Sequence, residues 1–547
     1  MSIPIASGLA SHYENLREQF QVMHEALAPL NLTKWQITRL LFAQIWRDTS
    51  PLLRTTLLVL VVGGFVLAVD AFIVQPYFLS LRRIGVPELK PVNGRHAFDY
   101  KPMLDEAAKK YPNLPWFFSY SGFELVVFPS GYVDEVRRLT AKTASLVDFL
   151  TTVQFGGWKL IGTDESSNTL HKTAQTDLAR TIGLLGNVRQ HVARKALQTV
   201  IGDASQWKSV NLFWTVLEVV AATGAIGLVG EPLSRDPRWL RGVRALPITV
   251  GIGVYISCFM PRLLRPVVAT FSYAPAWLLH KYLASLLRPT VEQAIRDSAA
   301  AATNKDKDSK KPTTLIHLLL ARYPPGEFNI DQLIKDTITA TFESTPTTAV
   351  SLYWMLTELV LRPDLVEDLR LELQTVLDKD GNLPLTQLTE LAKMDSFMRE
   401  SARINTFHYL GLNRILQQDH QFSIGPRLPK GTIICVDQDN IHNSPDIYEN
   451  PEEFDALRFY HKRQQPGHET RHQYASNGPD LLTWGDGPQA CPGRVFATNT
   501  IKILLAELLL RYDLQLPAGS YKPERKSFPN GSSQPDMDTV LMVRRRE

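Results

Sequence analysis

Apolar residues recur along this chain with the spacing of helices far more often than with the alternation of strands. One block has no polar face: residues 55–74 carry a single charge, Asp70. A helix of twenty residues is about 30 Å long, the thickness of a bilayer's hydrocarbon layer. A buried core helix is the competing reading, and a cleaved export signal fits poorly behind a leader of 54 residues. The leader holds Trp35, Leu40, Leu41, Phe42 and Ile45 near Arg39 and Arg47, a mixture suited to a membrane surface. Lys34, Arg39, Arg47 and Arg54 precede the block, and Arg82, Arg83, Lys90 and Arg95 follow it, so flanking charge sets no orientation. A second apolar run, 247–264, is interrupted by Pro261 and Arg262 and reads as a surface helix touching membrane.

Beyond the block, 123–127 followed by Pro129 and Gly131 reads as a strand and turn. Helical spacing covers 178–185, 210–224 and 276–295, and 304–312 is a polar, lysine-rich loop. A long helix is predicted over 331–362, ended by Pro363. Strands are predicted at 414–416, 420–424 and 432–436, then a last helix over 494–511. No internal repeat is evident. The pattern is mainly α with small β-sheets, divided into a leader (1–50), a membrane anchor (51–76) and a catalytic body (77–547).

Composition narrows the function. An apolar fraction of 44% and a charged fraction of 21% exclude general disorder and a many-span membrane protein. A net charge of +4 is too weak to argue for a nucleic-acid partner. Three widely spaced cysteines, Cys258, Cys435 and Cys491, exclude a disulfide scaffold and a cysteine-clustered zinc site. They leave room for one cysteine that does chemistry.

That cysteine lies in Trp484-Gly485-Asp486-Gly487-Pro488-Gln489-Ala490-Cys491-Pro492-Gly493-Arg494. A glycine-rich loop delivers one thiol to the start of an apolar helix, where the dipole and free N–H groups favour a thiolate. Such a thiolate can ligate haem iron, and Gly487 and Gly493 let backbone pass close to a flat macrocycle. A buried structural cysteine is the bland alternative. The loop resembles the haem-binding signature F-x-x-G-x-x-x-C-x-G of the cytochrome P-450 superfamily. Trp484 stands where Phe is usual, and Gln489 where Arg or His usually meets a haem propionate. The likeness extends over roughly 99–546 and is closest to fungal secondary-metabolite members of the ent-kaurene-oxidase-like kind.

Two further motifs carry it. Glu400-Ser401-Ala402-Arg403 has E-x-x-R spacing, selected over Glu14/Arg17, Glu135/Arg138 and Glu367/Arg370 by the downstream segment Pro451 to Phe459, which resembles P-x-x-F-x-x-x-R-F. The resemblance implies a buried structural triad of Glu400, Arg403 and Arg458. In the long helix, Glu343-Ser344-Thr345-Pro346-Thr347-Thr348 occupies the place of [A/G]-G-x-[D/E]-T-[T/S]. Thr347 takes the oxygen-activation position, Pro346 replaces the acid, and Ser344 replaces the glycine. A proline there removes one helical hydrogen bond and predicts a kink. Glu343 shares a face with Thr347 and is the expected substitute proton relay. Arg180 is a candidate propionate partner, and His442 reads as a hydrogen-bonded core residue.

The resemblance implies the cytochrome P-450 fold with an N-terminal transmembrane helix. It also implies haem b on Cys491, with Gly487, Trp484, Gly493, Gln489 and Arg180 around it, and Thr347 with Glu343 as catalytic groups. The implied activity is monooxygenation of an apolar secondary-metabolite intermediate, a terpenoid or meroterpenoid favoured over a polyketide or alkaloid. Residues 149–157, 339–345 and 406–412, with His408 and Tyr409, are the expected pocket walls. NADPH–cytochrome P-450 reductase is the expected electron donor, at the endoplasmic reticulum membrane, in single-pass topology with the body in the cytosol. Haem-catalysed rearrangement, dehydration or ring formation, and haem binding without turnover, are the other readings the sequence leaves open.

Overall fold

A computed structural model describes residues 50–547 apart from 71, 75–79, 91–99, 121, 159–166, 304–313, 325, 529 and 547, together with scattered positions between 33 and 47. The expected 304–312 loop and most of the leader lie outside the described residues. The chain divides into two units, Met1–Ser80 and Leu81–Glu547. The first contains helix α1 (Pro51–Val69), part of an apolar stretch, Pro51–Val74, long enough to cross a membrane. Ser50 caps its start by accepting from the Leu53 N–H.

The second unit holds α2 (Tyr100–Lys110), β1 (Trp116–Tyr120), β2 (Phe123–Phe128), β3 (Ala144–Ser145), α3 (Gly186–Ile201), β4 (Lys208–Asn211), α4 (Leu212–Leu228) and α5 (Pro237–Cys258). There follow α6 (Arg265–Ser272), α7 (Ala274–Thr303), α8 (Ile330–Val360), α9 (Pro363–Gln374), α10 (Ala392–Ile404), β5 (Leu410–Leu416), β6 (Ile433–Asp437), α11 (Arg458–Arg463) and α12 (Arg494–Arg511). The chain closes with β7 (Tyr512–Gln515), β8 (Lys526–Ser527), β9 (Ser533–Gln534) and β10 (Val540–Arg545).

One sheet has the order β1-β2-β6-β5-β3, a second β4-β10-β7, and β8 pairs with β9. Strands β2 and β6 are parallel, with Leu125 opposite Ile433; the other pairs are antiparallel. The main core lies where α3, α4, the C-terminal half of α8, α10 and α12 meet, around Trp354, Phe397, Leu504 and Leu505. Helix α4 is apolar on every side and buries 14 of its 17 residues, the pattern of a helix enclosed by others. Within it Gly227 makes room for a ring: a Cβ there would stand 3.0 Å from Phe496 of α12.

Two expectations are corrected. Residues 420–424 form no strand; His420 makes only an isolated bridge to Leu428. Residues 178–185 are not one regular helix, since a π turn (Thr173–Leu178) passes through Ala179–Thr181 into a 3-10 turn (Ile182–Leu185). Helix α8 continues on both sides of Pro346, from Ile330 to Val360; the proline lies inside the helix and does not end it.

Candidate haem-thiolate site

Cys491 sits three residues before the start of the last helix that the apolar pattern predicts, at Arg494. Its backbone N–H donates to the Trp484 carbonyl at 2.7 Å, and that of Ala490 to the Gly487 carbonyl at 3.2 Å, so the loop folds back upon itself. Asp486 fixes the turn, accepting from the Gly487 N–H at 2.7 Å and pairing with Arg137 at 3.2 Å. Gly487 has φ +70°, and a Cβ built on it would lie 1.9 Å from the Arg137 carbonyl oxygen. No other residue type fits there. Gly493 is different: a Cβ on it would meet nothing within 4 Å.

Backbone N–H groups of Gly493 and Arg494 point at the Cys491 sulfur. The expected preference for thiolate is nonetheless reversed: burial pushes the thiol up to about 11, outweighing those groups and the Arg494 guanidinium. A coordinated metal ion removes that proton regardless. Across from the thiol, Glu343 and Thr347 of α8 retain accessible surface although burial pushes the Glu343 carboxyl up to about 7. The Glu343 charge is felt at Cys491. The Glu343 carboxyl therefore faces enclosed interior space, and Thr347 lies one helical turn further along the same face of α8. A ladder of hydroxyls bonds back along α8, Thr341 to Thr337, Thr345 to Thr341 and Thr347 to Glu343, each at 2.8 Å. Thr347 thus donates to the Glu343 carbonyl and keeps its lone pairs free.

Two sequence candidates point elsewhere. The Gln489 amide is engaged by backbone on the neighbouring sheet: its oxygen accepts from the Leu146 N–H at 2.9 Å, and its nitrogen donates to the Leu139 and Ala144 carbonyls at 3.1 and 2.9 Å. It clamps the loop to β3. Arg180 has 76% of its side chain exposed and pairs with Asp177 at 3.2 Å. Trp484 is half-buried, and its indole N–H donates to the Tyr474 carbonyl at 2.7 Å.

A residue outside the motifs answers to a propionate better. Arg414 is buried on β5, two residues after Leu412, which takes φ +53° within a bulge between Gly411 and Arg414. Its Nε has no partner, and among the described residues no carboxylate pairs with it. Burial lowers the guanidinium to about 10. A buried cation without a counter-ion suits a ligand that brings its own carboxylates. A lone arginine within an apolar strand was the available signal. The donor set, the open face at Gly493 and this orphaned cation together fit haem.

The triad residues lie together. Arg403 donates to both Glu400 oxygens at 2.9 and 2.7 Å, and Arg458 reaches Glu400 Oε1 at 3.2 Å. Arg403 also donates to the His442 and Pro451 carbonyls at 2.8 and 2.7 Å. His442 is wholly buried, accepts from the Leu482 N–H at 3.0 Å, and is held neutral by burial.

A helical body around a single cysteine loop, with a buried Glu–Arg–Arg cluster behind it, defines the haem-thiolate class. Residues 255–541 match the model of the family described as Cytochrome P450. The chain is 39% identical over 531 residues to a cytochrome P450 monooxygenase, CYP1, of Pyricularia oryzae, covering 96% of each. It is 38% identical to monooxygenase ffsD of Aspergillus flavipes, covering 98% of this chain and all of that one. With the pyrichalasin C-18 hydroxylase of Pyricularia grisea it shares 35% identity, over 97% of this chain and 98% of the hydroxylase. The crystal structure of the cytochrome P450DA haem domain matches the fold with a TM-score of 0.64 at 15% identity, covering 84% of this chain and 97% of that one. The chain belongs to the cytochrome P450 family. It is a haem-thiolate monooxygenase of fungal natural-product biosynthesis, which takes electrons from a redox partner and acts on an organic substrate.

Proposed function

We propose that this enzyme hydroxylates, or otherwise oxidises, a largely apolar secondary-metabolite intermediate. The arrangement that carries the reading is the Cys491 thiol, met by the N–H groups of Gly493 and Arg494 and faced by Glu343 and Thr347. Haem b, when bound, supplies the iron that activates dioxygen. Cys491 would hold its iron through the sulfur, and Arg414 would receive a carboxylate of the macrocycle. Gly487 and Gly493 let the loop approach the ring, Trp484 shields the sulfur, and Gln489 holds the loop in register. Thr347 keeps lone pairs free to hold a water, and Glu343, raised to about 7 by burial, can take up and release a proton near neutral pH. Glu400, Arg403 and Arg458 hold the frame.

Electrons come from NADPH through NADPH–cytochrome P-450 reductase. Residues 51–76 anchor the body (77–547) to the cytosolic face of the endoplasmic reticulum, with 1–50 as leader. His408 lies in the interior, and burial lowers its imidazole to about 4, so it meets substrate as a neutral hydrogen-bonding group. The named activity of the pyrichalasin hydroxylase favours hydroxylation over rearrangement.

The test is a reduced, carbon-monoxide-bound difference spectrum of membranes holding this chain beside Cys491→Ala. A red-shifted Soret band confined to the parent is expected; its absence from folded parent overturns the proposal. Terpenoid, meroterpenoid, polyketide and alkaloid panels then follow under labelled dioxygen. Label in product marks oxygenation, and unlabelled product marks rearrangement or ring closure.

A further inference from the structure

Three histidines fall within twelve residues, His461, His468 and His472, and no motif described above includes them. His461 is exposed on α11, and the other two are half-buried in the loop that follows it. Backbone bonds hold that loop. The His468 N–H donates to the Gln465 carbonyl at 3.0 Å, and the Arg471 N–H to the His468 carbonyl at 2.9 Å. Arg399 of α10 donates to the Gln473 and Ser476 carbonyls at 3.0 and 2.9 Å, and its charge is paired with Asp480 at 3.4 Å. His472 takes φ +61°, an uncommon conformation for a residue with a side chain. Its ring lies against that of Phe459, 6.2 Å away at 29°.

His472 Nε2 stands 3.2 Å from His468 Nδ1, with the ring centroids 5.2 Å apart at 46°. For a hydrogen bond this is the outer end of the usual range. For a chelate it is the bite a small divalent ion needs. Two nitrogens, each about 2.0–2.1 Å from one zinc ion, subtend about 100° at the metal when they are 3.2 Å apart, close to the tetrahedral angle. The H-x-x-x-H spacing is also one that zinc sites use. Among the described residues no third histidine, cysteine or carboxylate converges on the pair. A site of two imidazoles with water in the other positions is open and exchangeable, and it suits the borderline ions that imidazole prefers.

We propose that His468 Nδ1 and His472 Nε2 bind a divalent transition-metal ion, zinc in the first instance, with water completing its shell. Both rings ligate as neutral imidazoles. The one that donates in the metal-free pair carries its proton on the outer nitrogen instead, so no net proton is released. The site is separate from Cys491 and does not depend on the reading of that residue. It lies two residues before Tyr474, whose carbonyl accepts the Trp484 indole N–H at 2.7 Å, and the Trp484 carbonyl accepts from the Cys491 N–H. A bound ion therefore braces the segment against which the cysteine loop rests.

The experiment is calorimetric titration of zinc chloride into full-length, haem-loaded protein free of any histidine tag. The parent is compared with His468→Ala and with His472→Asn, since asparagine accepts the left-handed backbone. The parent is expected to bind one zinc ion per chain, and each variant to bind it about tenfold or more weakly at unchanged haem content. No binding by the parent, or binding that both variants retain, overturns the proposal. If the variants do not fold, X-ray absorption at the zinc edge decides on the parent loaded with one ion per chain. Two imidazoles with oxygen and no sulfur are expected, and any other shell overturns the proposal.

Discussion

The Arg137 carbonyl lies against Gly487 where any side chain would have to be. Gly487→Ala adds a left-handed backbone penalty to a steric overlap, together about 3 kcal/mol or more. Haem content and stability should both fall sharply, while Gly493→Ala leaves the stability of the haem-free chain within about 0.5 kcal/mol of the parent. Gln489→Ala strands one N–H and two carbonyls, and a loss of about 1–3 kcal/mol is expected by urea denaturation. The Glu400–Arg403 pair was legible because its chemistry depends on a short, fixed spacing. The Arg414 environment was not, because what marks it is a missing partner, and a missing partner exists only in three dimensions. Gln489 was misread for the same reason: its position in a motif says nothing of the β3 backbone that captures it.

Among the elements, α10 and α11 are joined through one carboxylate that two guanidinium groups share. Glu400→Gln leaves buried positive charge uncompensated, and a loss of about 3–5 kcal/mol is expected by chemical denaturation. Strand β6 ends in Asp437, whose carboxyl burial raises to about 7 while it accepts from the Asn440 N–H at 2.9 Å. Below about pH 4 the group is protonated whether the chain is folded or not. Between about 4 and 7 only the unfolded chain releases the proton, so stability falls as pH rises, and above 7 the penalty is constant. Asp437→Asn should therefore gain on the parent from pH 4 to pH 7, by on the order of 4 kcal/mol at most, in denaturation measured across pH. Long helices such as α8 and α12 were readable from their period. The 420–424 segment was not, since apolar residues in a hairpin-like bend mimic a strand without a neighbour to pair with.

At the scale of the whole chain, the division at Ser80 separates an apolar helix from a body with its own core. Removing residues 1–80 should shift the protein from the membrane pellet toward the supernatant in ultracentrifugation while the carbon-monoxide band is kept. The apolar helix was legible from hydropathy alone, and the mainly helical body from periodicity. The pairing of β2 with β6 was not, because parallel partners some 300 residues apart share no local signal. The clamp on the cysteine loop has the same non-local character. Arg137, Leu139, Ala144 and Leu146 grip residues 486–489 across 343 to 350 positions of sequence. The ribosome makes the clamp some 340 residues before the loop it holds. The nascent chain must therefore keep its first sheet waiting, protected from aggregation, while that intervening stretch emerges.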